Sequence, residues 1–194
     1  MIKLGITGGI GSGKSIVSRV LNAFNIPIYI ADNEAKRLMV EDPFIRESLI
    51  NLLGSEVYLK NQLNKKKVAD FLFDNPENAL IINNIVHPQV KRDFLMWCNT
   101  NSMFPVVGIE SAILFDAKFH NLIDYSILVY APQKVRIERA IKRDNSTLEL
   151  ITKRIAAQSS DSEFMDLVDY LILNDSKTAL LPQIIELTKD IKCK

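Results

Sequence analysis

Gly8-Gly9-Ile10-Gly11-Ser12-Gly13-Lys14-Ser15 is the stretch whose reading decides the fold. It satisfies G-x-x-x-x-G-K-[ST], the Walker A phosphate-binding pattern. Ile2-Lys3-Leu4-Gly5-Ile6 before it reads as a short strand. After it, Ile16, Val17, Val20, Leu21 and Phe24 recur at the spacing of one helix face. Strand, glycine loop and helix N-terminus in that order make an anion site. The glycines let successive N–H groups turn toward one phosphate chain. Lys14 can reach the β and γ phosphates of a nucleotide, and the Ser15 hydroxyl can ligate Mg²⁺. The alternative is an ordinary glycine-rich turn. Against it, five of the seven glycines in the chain are Gly5, Gly8, Gly9, Gly11 and Gly13, so backbone freedom is concentrated at one place.

Working outward, 194 residues suffice for one α/β domain with an inserted piece or for two small domains. The 47% hydrophobic content supports a real core, and 24 basic against 23 acidic residues leave a net charge of +1. That balance gives no reason to expect bulk attraction to nucleic acid or to anionic lipid. Cys98 and Cys193 are too few and too scattered for a disulfide framework or a zinc site, which fits a reducing cytoplasm. The sequence read from Met1 is expected to enter its first strand directly, without a signal peptide, and it has no apolar run approaching the ~18 residues of a membrane span.

Downstream of the first helix, Ile28–Ile30 reads as a second strand and Asp32 as the residue leaving its C-terminal end. Ligands of open α/β sheets gather at such ends. A carboxylate there can take a proton from a substrate hydroxyl or hold Mg²⁺ through water. It can equally be a helix N-cap. Residues 33–101 contain no clear sheet strand and read as a helical block. Leu38, Met39, Phe44, Ile45, Leu49, Leu52 and Leu53 keep helical spacing there. One further helix is expected over 78–86, and another opens at Pro88 with His87 at its entrance. Lys65-Lys66-Lys67 begins a helix and is either a solvated face or a ligand site.

Residues 105–109 read as a buried strand ending at Glu110, placed like a Walker B acid. Tyr125–Tyr130 is the next strand, and 168–173 the last, with Asp169 inside it and Asn174 at its end. Arg136, Arg139 and Arg143 share one face of the helix between the last two strands. They are an exposed basic stripe or, beside a phosphate loop, part of a lid over a nucleotide.

Taken together, several pieces resemble the dephospho-coenzyme A kinase family from end to end. They are Thr7-Gly8-Gly9-Ile10-Gly11-Ser12-Gly13-Lys14-Ser15, Ala31-Asp32, Phe73, His87-Pro88, Leu114-Phe115, Arg139 with Arg143, Arg154-Ile155-Ala156-Ala157-Gln158, and residues 169–174. The resemblance implies transfer of the ATP γ-phosphoryl group to the ribose 3′-hydroxyl of dephospho-coenzyme A, the last step of coenzyme A synthesis. The implied fold is α/β, a three-layer P-loop kinase with a five-stranded parallel sheet. Residues 1–32 and 102–194 would form the nucleotide-binding core, with a lid at about 140–165. Residues 33–101 would form the helical acceptor-binding insertion.

By the same resemblance, Asp32, Lys14, Arg139 and Arg143 are the catalytic residues. Gly9, Ile10, Gly11, Ser12, Gly13, Lys14, Ser15, Ile16 and Asn174 hold ATP, and Ser15 holds Mg²⁺. Asp32, Lys65, Phe73, His87 and Leu114 receive the acceptor. Some positions depart from the family pattern. Ile30 stands in place of the first acid of Asp-Ala-Asp. Glu110-Ser111-Ala112-Ile113-Leu114-Phe115-Asp116 stands for Asp-x-Pro-Leu-Leu-Phe-Glu. Lys65 replaces an arginine, and Phe164 a lysine.

The rivals are a nucleoside monophosphate or shikimate kinase of the same architecture, a GTPase switch, and a non-catalytic ATP-binding module. A GTPase needs Asp-x-x-Gly after a strand. Beyond the loop only Gly54 and Gly108 remain, and Asn51 and Pro105 stand three residues before them.

Overall fold

The computed structural model describes residues 1–75, 77–158 and 161–193. In chain order its elements are β1 (Ile2–Thr7), α1 (Lys14–Ala23), β2 (Ile28–Ile30), α2 (Ala31–Glu41), α3 (Pro43–Leu53), β3 (Tyr58–Leu59), β4 (Gln62–Leu63), α4 (Lys65–Asp74), α5 (Asn78–Thr100), β5 (Val106–Glu110), β6 (Tyr125–Tyr130), α6 (Gln133–Asp144), α7 (Leu148–Ala156), α8 (Asp161–Phe164), β7 (Tyr170–Leu173) and α9 (Leu180–Lys192). The chain divides into two compact units, residues 1–30 with 101–194, and residues 31–100.

The first unit holds a five-stranded parallel sheet in the order β2-β5-β1-β6-β7, the three-layer α/β arrangement expected from the sequence. Its strands read as apolar runs because a parallel sheet is covered on both faces. Alternation sorts them. Leu4, Ile6, Ile127, Val129 and Ile172 form one buried cluster with Val17 and Leu21 of α1 and Ile184, Leu187 and Ile191 of α9. Val107, Ile109 and Leu128 are buried as well and alternate with that cluster along their strands. Register runs straight across the sheet: Ile30 pairs with Glu110, Glu110 with Ile6, Ile6 with Ile127, and Ile127 with Tyr170. β1 is therefore the central strand, and the glycine loop after it lies at the middle of the sheet's C-terminal edge.

The last strand is shorter than the sequence suggested. It starts at Tyr170, so Asp169 precedes it. The Asp169 carboxylate accepts from the Ser126 N–H at 2.7 Å and from the Ser126 hydroxyl at 2.8 Å, pinning the start of β7 to β6. At the other end Gln183 holds the backbone of Leu173 through both its amide atoms, at 2.8 and 2.9 Å. Asn174 then continues the ladder, donating its N–H to Tyr130 O at 2.8 Å.

The second unit is helical, with two corrections to the sequence reading. Residues 78–100 are one helix, α5, with Pro88 inside it. His87 is therefore at mid-helix and not at a helix entrance. The reason lies in the buried row Asn78, Ile82, Val86, Val90, Phe94 and Cys98, which continues at i+4 through the proline. A proline inside a helix costs about 3 kcal/mol. Burying the row's four large apolar side chains stabilises by roughly 6–12 kcal/mol. Pro88 itself is exposed, so water can reach the carbonyl that lost its partner.

The second correction is a hairpin. β3 and β4 pair antiparallel, Tyr58 with Leu63 and Leu59 with Gln62. Lys60 and Asn61 between them both have positive φ, 48° and 63°, the signature of a type I′ turn. The usual Asn-Gly or Asp-Gly signal is missing, and two-residue strands carry almost no periodicity. Tyr58 ties the hairpin to α2 by donating its hydroxyl to Met39 O at 2.6 Å.

Candidate active site

The phosphate loop spans the gap between Thr7, the buried last residue of β1, and Lys14, the first of α1. Gly13 caps α1 with φ 99° and offers no side chain to the first-turn N–H groups, and that turn contains no acid. The helix thus presents uncapped donors and the positive end of its dipole. Two glycines are demanded by what packs on them. A Cβ at Gly9 would lie 2.0 Å from a guanidinium nitrogen of Arg136. Gly11 has φ 79°, and a Cβ there would lie 2.2 Å from the Arg136 carbonyl oxygen. The loop is thus moulded on α6.

Three side chains distant in sequence hold its backbone. Arg136 Nε donates to Ile10 O at 3.0 Å. Gln158 Oε1 accepts from Ile10 N–H at 2.9 Å. Asn174 Nδ2 donates to Ser12 O at 2.7 Å, while its Oδ1 accepts from Arg139 at 3.2 Å. Arg139 also donates to Asn174 O at 3.0 Å and to Ser176 Oγ at 2.8 Å. Lys14 Nζ lies along the loop and donates to Gly8 O at 2.5 Å and Gly9 O at 3.3 Å. Ser15 and Ile16, the latter 43% exposed, sit on the open side of α1.

The arginine stripe of α6 therefore separates. Arg136 is buried against the loop, Arg139 braces residues 174–176, and Arg143 forks onto Asp144 at 2.7 and 3.1 Å. Arg154 of α7 reaches the same carboxylate at 2.7 Å. Hydrogen bonds from Arg143 and then Arg154 hold the Asp144 carboxyl down to about 2. α7, which falls within the residues 140–165 expected from the sequence to form a lid, is fastened to α6 through Asp144. Ser159 and Ser160 lie outside the described residues.

Beside the loop, Glu110 ends β5, and Ser111 donates its N–H to Ile6 O at 3.0 Å. Ser12 Oγ and Glu110 Oε2 are buried without a hydrogen-bond partner among the described residues. The expectation that Leu114 meets the acceptor is not supported. Its side chain is fully buried, held in a tight turn where Phe119 N–H donates to Leu114 O at 2.8 Å. It offers no surface to a ligand. Next to it Phe115 stacks on Phe164 with centroids 4.7 Å apart. The residue standing where the family pattern has lysine thus ties α8 to the β5–β6 connection by an apolar contact.

In the second unit the remaining candidates each lie on a separate element. Asp32 is exposed in the first turn of α2, inside the helix and not before it, so it does not serve as the N-cap. Lys65 is the first residue of α4. Phe73, near its end, is 87% exposed. His87 is half-buried in α5. Burial, and then the charge of Lys91 one turn on, lower its pKa below the usual imidazole value. Its neutral form is therefore the one favoured at neutral pH.

Reading the sequence alone missed Arg136 and Gln158 as site residues. Arg136 was visible as part of the stripe and Gln158 as the end of Arg-Ile-x-x-Gln, but neither pattern says which backbone atoms they hold.

Comparison with known proteins adds to this geometry. The family model for dephospho-CoA kinase matches residues 2–179. A dephospho-CoA kinase of Bacteroides fragilis is 44% identical over 186 residues, covering 96% of this chain and 91% of that protein. One from Porphyromonas gingivalis is 38% identical over 195 residues, covering 100% and 96%. The crystal structure of TT1252 from Thermus thermophilus superposes with a TM-score of 0.81 at 28% identity, covering 99% of this chain and 96% of that one.

Proposed function

This chain belongs to the dephospho-CoA kinase family, and from that premise we propose how its residues divide the work of the reaction. The reaction is transfer of the ATP γ-phosphoryl group to the ribose 3′-hydroxyl of dephospho-CoA, giving CoA and ADP in the last step of CoA biosynthesis. The 3′-oxygen bonds to the γ-phosphorus as the bond to the β–γ bridging oxygen breaks. The hydroxyl proton leaves to a base, and ADP departs. The observation that carries this reading is the phosphate loop at the central strand, moulded on α6 and opening an uncapped helix.

Phosphoryl transfer needs alignment and charge neutralisation more than covalent help. We assign the loop from Gly9 to Ser15, with Ile16, to the phosphates of ATP; the Ile10 N–H, held by Gln158 Oε1, is not among the donors. Lys14 exchanges its hold on Gly8 O and Gly9 O for the β and γ oxygens, and there stabilises the charge that builds on the transferring group. Asn174 lies on the adenine side, with Arg139 holding it in place. Arg143 contributes from the lid. Asp32 accepts the proton of the 3′-hydroxyl or orients it until late in transfer.

The residues present suit Mg²⁺. The Ser15 hydroxyl is exposed at the helix start, and Glu110 Oε2 is a buried hard oxygen with no hydrogen-bond partner among the described residues. Among the described residues no group of three or more His, Cys, Asp or Glu is arranged to hold a metal. Mg²⁺ bound mainly through substrate phosphates requires no such group. When bound, the ion supplies charge neutralisation on the phosphate oxygens.

Residues 31–100 receive dephospho-CoA, with Lys65, Phe73 and a neutral His87 as contacts. We place the protein in the cytoplasm, in keeping with two cysteines that are not joined. Among the described residues no helix is long and apolar enough to cross a membrane. The test is incubation with Mg-ATP and a panel of acceptors, with products identified by mass. A single added phosphate on dephospho-CoA is the expected result. Phosphate on shikimate or a nucleoside monophosphate instead would replace this reading.

A further inference from the structure

We propose that Gln158 is a positioning residue that makes the phosphate loop sense α7, through its hydrogen bond to Ile10. The inference rests on the reaction assigned above and concerns how that reaction is kept from wasting ATP.

Three contacts carry it. Ile10 lies near the middle of the loop, and both of its backbone polar groups are held from outside it. Its N–H goes to Gln158 Oε1 at 2.9 Å and its carbonyl to Arg136 Nε at 3.0 Å. The second holder is on α6. The first stands two residues beyond the end of α7 and one helical turn past Arg154. Arg154 is in turn fixed to α6 through Asp144, at 2.7 Å.

The α6–α7 pair therefore grips one loop residue at both ends. Arg136 is buried on a helix packed under the loop, so its bond stays with the loop. Gln158 is on the side that must part if α7 moves to admit or release nucleotide. With the bond made, Ile10 N–H is committed outward and the loop shape fits a triphosphate. With it broken, the loop loses one of its three outside holders. Only the carboxamide oxygen can accept from an N–H, so the chemistry required of residue 158 is an acceptor at the reach of a glutamine.

The consequence is a partition between acceptors. A loop no longer registered to α7 should turn over ATP without the alignment that favours the sugar hydroxyl over water. In that side reaction water oxygen bonds to the γ-phosphorus, the bond to ADP breaks, and phosphate, ADP and a proton are released. Gln158→Leu removes the acceptor at similar volume, whereas Gln158→Glu keeps an oxygen at the same reach.

The experiment has two readouts on the full chain. One is Ile10 amide hydrogen exchange by NMR on ligand-free protein. The other is the ratio of ATP hydrolysis to CoA formation under Mg-ATP and dephospho-CoA. Gln158→Leu is expected to speed Ile10 exchange about 3- to 10-fold, the worth of one hydrogen bond, and to raise the ratio by a similar factor. Gln158→Glu is expected to stay near wild type in both, even if its charge raises KM for ATP. Unchanged exchange or an unchanged ratio in Gln158→Leu overturns the proposal. So does a Gln158→Glu enzyme as uncoupled as Gln158→Leu. If wild type forms no CoA while Ile10 exchange still responds to Gln158→Leu, the assigned reaction fails and the bond alone stands.

Discussion

The two units of this chain carry their candidate residues in opposite ways. In residues 1–30 with 101–194 the candidates converge. Arg136, Gln158 and Asn174, separated from the loop by more than a hundred residues, each grip its backbone. In residues 31–100 the candidates are dispersed over the first turn of α2, both ends of α4 and the middle of α5. A phosphate chain is small, fixed in shape and recognised by backbone dipoles, so its site must be built in advance. A long flexible acceptor arm is recognised over a wide surface and asks less of any one residue. The difference suggests that substitutions in the first unit damage turnover of any acceptor. Those in the second, its carboxylate apart, damage the choice of acceptor.

The largest effect is expected where that division is crossed. Asp32 belongs to the second unit but is assigned to the chemistry. Asp32→Asn preserves shape and removes basicity, so transfer should slow by roughly 10²–10⁴-fold while ATP affinity stays near wild type. Single-turnover transfer measured beside nucleotide titration decides it. Wild-type values in both would leave Asp32 as merely a favourable first-turn acid of α2.

Next comes the loop itself. Lys14→Ala should lower kcat/KM by about 10²-fold, near 3 kcal/mol of transition-state stabilisation, with every acceptor tried. Steady-state kinetics on dephospho-CoA and on a poor acceptor test it. Normal kinetics would remove Lys14 from the γ-phosphate.

How much of this was legible beforehand follows the same divide. β1, the loop, α1, β2 and β6 are stated by local pattern. A glycine run between two periodic segments has few other readings, and strands buried on both faces are apolar throughout. Asn174 could be singled out by its place at a strand end. The partners of the loop could not. Periodicity put Arg136, Arg139 and Arg143 on one face, yet each turned out to hold something different. Which backbone oxygen a guanidinium reaches depends on contacts distant in sequence, 126 residues away for Arg136 and 35 for Arg139.

Pro88 misled for a related reason. Its local cost is real, but a buried row extending on both sides of it outweighs that cost. Leu114 was placed at the acceptor by family resemblance, and tertiary packing puts its side chain in the core. The Lys60-Asn61 turn carries positive φ on both residues, a conformation that Asn61 favours and Lys60 does not advertise.

The smallest effect belongs to His87. Burial and Lys91 lower its pKa, so the folded protein binds the proton less readily than the unfolded chain. Stability linked to this group is complete above the ordinary imidazole pKa of 6.5 and is lost as pH falls below it toward the lowered folded value. Thermal melts at pH 7.5 and 5.5 should show wild type losing about 1–3 °C more than His87→Gln. Equal losses would mean that the ring is not held neutral by its surroundings.

The central claim is that residues 31–100 use the part of the acceptor remote from the reacting hydroxyl to drive chemistry at the phosphate loop. Binding energy used that way appears in kcat as well as in KM. The direct test is kcat and KM for dephospho-CoA, AMP and adenosine under one set of Mg-ATP conditions. AMP and adenosine carry the 3′-hydroxyl without the pantetheine arm. They should lose at least about 10³-fold in kcat/KM, roughly 4 kcal/mol, with part of the loss persisting at saturation. Phosphorylation of AMP at saturation as fast as that of dephospho-CoA would contradict the account.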